Sequence, residues 1–186
     1  MIRVTWDWLG QGPALDLADT VTIEDGAEHD LIAIRHDYER WAEREAAILP
    51  GGSKRLLVRA RAELLELREV VRRLLAALTE GERPSASLVQ ALNQGSRRAP
   101  QWMELDEKNL MRHERGSGSE VDELLAFYAR SAMELIADDA ERLRRCLAPS
   151  CGMFYLSTRP AQRWCSTQCG SRARVARHYR QHRVRA

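Results

Sequence analysis

All four cysteines of the chain fall in its last quarter, at Cys146, Cys151, Cys165 and Cys169, with the spacing C-x4-C-x13-C-x3-C. A segment this short has too little core to fold without a staple. Zinc supplies one when two pairs of nearby thiolates converge on a tetrahedron with sulfurs about 2.3 Å from the metal. Two disulfides, or four unrelated thiols, are the alternatives. Met1 to Gly12 holds no apolar run of signal-peptide length, and Asp7 interrupts it. The chain is therefore expected in the cytoplasm, where thiols stay reduced. That favours one zinc ion. Four cysteines close the coordination sphere and leave no position for water, so the expected metal is structural.

The surrounding residues predict how the ligands are delivered. Pro149 and Gly152 make a knuckle of the first pair. Met153 to Leu156 is expected as a strand, Ser157 to Pro160 as a turn and Gln162 to Trp164 as the returning strand. A helix then opens near Ser166 with Cys165 and Cys169 at its start. Knuckle, hairpin and ligand-bearing helix make a treble-clef-like arrangement, with Trp164 packed over the metal. From Arg142 onward the chain carries eleven arginines and no Lys, Asp or Glu. With a whole-chain charge of +2, the preceding residues must sum to −9. An acidic body with a basic tail suits an anionic partner, or a solvated basic end.

The body reads as mainly helical. Leu15 to Thr20 fits either a short strand or a helix start capped by Asp16 or Asp19. Tyr38, Trp41, Ala42 and Glu45 mark a helix over 35–48, which Pro50-Gly51-Gly52 ends. Ser53 can cap the next helix, expected to run unbroken over 54–78 with Leu57, Leu64, Val71, Leu75 and Leu78 on one face. Residues 87–93 form a short helix. A β-hairpin is expected over 101–112, with Trp102 and Leu105 on one arm and Leu110 and Met111 on the other. Ser119 and Asp122 form a capping box. The helix they open is expected to reach about Arg145 and run straight into the knuckle. No stretch approaches ~18 apolar residues, so no membrane span is expected. No P-loop, dinucleotide fingerprint or nucleophile elbow occurs, which points away from an enzyme.

The run from Arg163 to Ala176, with Cys169-Gly170-Ser171-Arg172 at its centre, resembles the CGNR zinc finger, with Ser171 in place of the motif's Asn. The run Leu15-Asp16-Leu17-Ala18-Asp19-Thr20-Val21 resembles the opening of the ABATE domain that precedes this finger, with Asp19 where the pattern usually has Asn. The resemblance implies a bacterial regulator of transcription under stress, with an α/β body that senses a ligand and a finger that binds DNA.

The expected fold is therefore α+β: a mainly helical body with a short β-hairpin over 1–140, followed by a treble-clef-like four-cysteine finger over 141–186. The candidate DNA-binding residues are Arg172, Arg174, Arg177, His178, Gln181 and Arg185. All but Arg172 follow helical spacing, and Arg172 can instead bond inside the module. Arginine can pair with guanine in the major groove or track phosphates. Asp16, Asp19 and Thr20, with Trp41 and the nearby Trp6 and Trp8, could line a small-molecule pocket, or simply cap and brace a turn. Duplex DNA is the expected partner, read by a homodimer if specific. Docking of the finger on an acidic protein is the alternative.

Overall fold

In the computed structural model the described residues are 9–24, 26–49 and 51–183. Trp6, Trp8, Pro50 and Arg185, singled out above, lie outside them. The described residues form seven helices and three antiparallel strand pairs.

The ambiguous first segment is a helix, α1 (Pro13–Ala18). Pro13 suits its first turn, where a missing N–H costs nothing. Gly12 precedes it at φ 117°, a conformation that disfavours side chains. Asp16 sits inside this helix and Asp19 follows it, so neither is its N-cap. A hairpin that the reading above missed comes next, β1 (Val21–Glu24) and β2 (Ala27–Asp30). In the sequence Gly26 follows an Asp, a favoured hairpin pair, and Gly26 has φ +83°.

Helix α2 (Arg35–Ile48) buries Tyr38, Trp41, Ala42 and Glu45, the expected stripe. Ser53 caps α3 (Lys54–Arg59) by accepting from the Leu56 N–H at 3.3 Å. The single helix expected over 54–78 is broken at Ala60, beyond which α4 (Arg61–Thr79) begins. The buried Tyr38 hydroxyl donates to the Leu57 carbonyl at 2.8 Å. A continuous helix would offer that carbonyl to Arg61, so the tyrosine holds the break open. Helix α5 (Ala86–Arg97) is longer than expected and is capped by Ser85. Strands β3 (Gln101–Leu105) and β4 (Met111–Arg115) form the expected hairpin.

Ser119 and Asp122 make the full capping box of α6 (Glu120–Asp139). This helix stops at Asp139 and does not run to Arg145. Leu143 is buried from a strand, β5 (Leu143–Arg145), which pairs with β6 (Phe154–Leu156). The partner of β6 is thus the segment before the knuckle, and 162–164 is not a strand. The stretch after β6 is held by side chains instead, with the Tyr155 hydroxyl donating to the Gln162 carbonyl at 2.9 Å. Helix α7 (Thr167–Arg183) completes the finger.

Strand alternation makes β5 and β6 belong to both cores at once. Leu143 and Phe154 join the core built by α1 to α6, while Met153 and Tyr155 face the cysteines. The junction is hydrogen-bonded as well as packed. Ile23 N–H donates to the Cys151 carbonyl at 2.8 Å, Phe154 N–H to an Asp19 carboxylate oxygen at 2.7 Å, and Leu156 N–H to the Gln11 side chain at 2.9 Å. Gly152, at φ +72°, lies so close to Ile23 that a Cβ there would collide with it.

Candidate metal centre and nucleic-acid interface

The β5–β6 hairpin places Cys146 and Cys151 at either end of a knuckle, with Ser150 and Gly152 both at positive φ. The start of α7 brings Cys165 and Cys169 opposite. The four Sγ atoms all lie within 4.8 Å of one another. Cys151 and Cys165 are 3.7 Å apart, and Cys165 and Cys169 are 3.5 Å apart. A tetrahedron with bonds of about 2.3 Å has edges of about 3.8 Å, so the donor set is of the size that zinc takes. Met153, Tyr155, Ala148 and Ala173 enclose the cluster, with Leu9 and Trp164 packed against it.

Four thiolates on one Zn²⁺ carry a net −2, which nearby donors must offset. The Arg172 guanidinium donates to Cys169 Sγ at 2.9 Å, and Cys165 N–H points at Cys146 Sγ at 3.4 Å. Thiol donation from Cys151 and Cys165 holds Cys146 well below the ordinary thiol range. The same donation pushes Cys151 and Cys165 up. Zinc binds thiolates, so loading the metal is coupled to release of thiol protons.

Beyond Ala173, α7 leaves the finger core. Arg174, Arg177, His178, Arg180 and Gln181 are exposed, as are Val175 and Tyr179. Basic residues nearer the body find acids there, Arg142 with Asp139 at 2.6 Å and Arg145 with Glu80 at 3.6 Å. Arg174, Arg177 and Arg180 make no ion pair among the described residues. Ser171, at the motif's Asn position, donates to the Thr167 carbonyl and accepts from Arg174 at 2.9 Å.

The four residues proposed for a ligand pocket are all buried, but they divide. Asp19 bonds the finger backbone. Thr20 donates to the Leu17 carbonyl and accepts from Arg68 at 3.1 Å. Two buried arginines of α4, which the sequence reading did not single out, brace this corner. Arg68 holds Asp30 at 2.7 and 2.9 Å, and Arg72 reaches the Ala18 and Val21 carbonyls and Glu28. An arginine on the apolar stripe of a helix is the signal that could have revealed them. Burial pushes the Asp19 carboxyl well above its usual range, against the pull of the Phe154 N–H. Driven toward its neutral form, it accepts that N–H as the amide of Asn would.

Asp16 and Trp41 lie instead beside Glu45 and Tyr128, whose hydroxyl donates to Glu45 at 2.7 Å. Asp16 Oδ2, Trp41 Nε1 and Glu45 Oε2 are buried with no hydrogen-bond partner among the described residues. Burial raises Asp16 to about 6 and Glu45 to about 7.

A mainly helical body sharing its core with a closed four-cysteine centre defines a zinc-finger protein whose metal is structural. Residues 11–139 match the ABATE family, described as "putative stress-induced transcription regulator", and residues 142–182 match the CGNR zinc finger. The chain belongs to the ABATE family and carries one structural zinc site in its CGNR finger. No curated protein matches it. No helix among the described residues is long and apolar enough to cross a membrane.

Proposed function

We propose that this chain is a DNA-binding regulator of transcription, in which a body over 1–140 carries a finger over 141–186 and the finger presents α7 to duplex DNA. The observation that carries the reading is the outer half of α7: Arg174, Arg177 and Arg180 are exposed and make no ion pair among the described residues, on a segment with no acid, while Arg142 and Arg145, closer to the body, are neutralised. An isolated cationic helix of groove-fitting width is a natural phosphate and base reader. His178 and Gln181 lie between the arginines, and Arg185 continues the spacing in the sequence. Arg172 belongs to the metal centre in this reading, since its guanidinium is turned to Cys169.

Each arginine that neutralises a phosphate releases counterions, so affinity should fall with a log–log salt slope of roughly 0.9 per contact. Duplex binding is measured across salt for wild type and an Arg174→Ala/Arg177→Ala variant, with zinc content checked in both. The variant is expected to bind all sequences more weakly with a shallower slope. Equal binding at equal zinc content would remove α7 as the DNA-contacting element and favour an acidic protein partner.

We further infer that the body senses a small molecule. The support is the buried group Asp16, Trp41 and Glu45, each with a polar atom that no described residue partners, as a polar ligand would require, whereas Asp19 and Thr20 are committed to internal bonds. Tryptophan fluorescence and thermal-shift screening test it. No shift with any metabolite class, in wild type or a Trp41→Phe control, would leave these groups as structural.

A further inference from the structure

Hairpin β3–β4 stands apart from the rest of the fold. Arg115 reaches Glu123 of α6 at 3.6 Å, but no other described element packs closely on the hairpin, and among the described residues both edges of its two-stranded sheet are open. Yet Trp102, Met103, Leu105, Leu110 and Met111 are 46–72% exposed. So many apolar side chains on an open edge mark an interaction surface.

The hydrogen bonds show which backbone groups the edge offers. Gly116 N–H donates to the Pro100 carbonyl, and Asp106 N–H to the Leu110 carbonyl. By alternation, Trp102–Glu114 and Glu104–Arg112 are the hydrogen-bonded pairs. Met111, His113 and Arg115 therefore turn their N–H and C=O away from β3, toward the open side of β4.

We propose that β4 is the seam of a homodimer, pairing antiparallel with β4 of a second copy about a two-fold axis at His113 to form a four-stranded sheet. In that register every outward group of Met111, His113 and Arg115 finds a partner. Arg112 faces Glu114 of the second copy, and Glu114 faces its Arg112, at the non-hydrogen-bonded positions where side chains approach most closely. Glu114 makes no ion pair among the described residues of its own chain. Arg112 is already held in place by Asp106 at 3.0 Å, which lowers the entropy lost on pairing. Met111 comes opposite Arg115, whose aliphatic stem can cover it. Centring the axis one residue away, on Arg112 or on Glu114, sets like charges face to face, so charge selects the register. Pairing through β3 about Met103 offers no ion pair. It would set Trp102 against Glu104, whose carboxylate already accepts the Trp102 indole N–H at 2.6 Å. This proposal stands independently of DNA binding.

The test is sedimentation equilibrium of the full zinc-loaded chain at up to about 100 µM, where a Kd of that order still populates dimers. Wild type is expected to dimerise. His113→Pro removes an N–H that faces away from β3, so it should leave the hairpin and zinc content intact while abolishing the dimer. Glu114→Arg sets like charges together twice and should weaken the dimer about tenfold. The exchanged pair Arg112→Glu/Glu114→Arg should restore it. A monomeric wild type at the highest concentration would overturn the proposal. So would a dimer unaffected by both single variants, or a loss that the exchanged pair fails to recover.

Discussion

Asp19 shows how one side chain can replace another without replacing its chemistry. The family pattern usually has Asn at this position, and the acid here accepts a backbone N–H while burial drives it toward the neutral form. An unfolded Asp loses its proton near 3.8, and the folded one retains it to higher pH. The stability from that proton is full below pH 3.8 and is lost as pH rises through the higher folded value. Asp19→Asn should therefore raise the melting temperature at pH 8 more than at pH 5, as read by circular dichroism at both. Asp19→Ala should cost about 1–3 kcal/mol, because the Phe154 N–H is left buried and unpaired. An Asn variant less stable than wild type at pH 8 would contradict the neutral-acid account. Arg172 acts on the metal in a comparable way, as a donor behind a ligand. Arg172→Ala should weaken zinc retention about 10–100-fold in a chelator competition. It should leave the salt slope of DNA binding unchanged, since this guanidinium faces sulfur and not phosphate.

At the scale of elements, Ala60 illustrates the limit of periodicity. The stripe from Leu57 to Leu78 is continuous in the sequence, yet α3 and α4 are separate. The break belongs to a tyrosine some twenty positions away in sequence. Tyr38→Phe keeps the ring and removes only the hydroxyl. It should cost about 1–3 kcal/mol by orphaning a buried carbonyl, measured by urea unfolding. No change in stability would show that the Leu57 carbonyl has another partner. The end of α6 follows similar logic. Leu143 keeps apolar spacing with the helix before it, but β6 claims its backbone, so the helix yields four residues earlier than its stripe does. Helix α7 differs from both. Its first turn carries Cys169 of the metal centre, and most of its outer half is exposed, from Arg174 and Val175 to Gln181.

For the whole molecule, the consequence of a shared core is that metal and body stabilise one another. Two independent units, over 1–140 and 141–186, would let Cys165→Ser unfold the tail and spare the body. With Leu143 and Phe154 packed among α1 to α6, loss of the finger removes part of the body's own core. The loss is on the scale of a buried Phe→Ala change, about 3–5 kcal/mol. Chelation of zinc, or Cys165→Ser, should then lower the melting of the far-UV signal as a whole, in one cooperative transition. Two transitions, with the body's midpoint unmoved, would show that the finger melts independently.

Features encoded in neighbouring residues were legible without coordinates. The metal centre rests on cysteine spacing, because two local turns deliver each pair of ligands. Helix α2, the Ser53 cap, the Ser119–Asp122 box and the β3–β4 hairpin rest on side-chain periodicity and short-range hydrogen bonds, which operate within a few residues. Tertiary structure alone decided the partner of β6, the break at Ala60, the bracing arginines Arg68 and Arg72, and the bond from Phe154 to Asp19. Each depends on which distant group reaches a donor or acceptor first. A buried polar atom takes whatever partner the packed chain brings within reach, and a single chain read by itself does not say which one that will be.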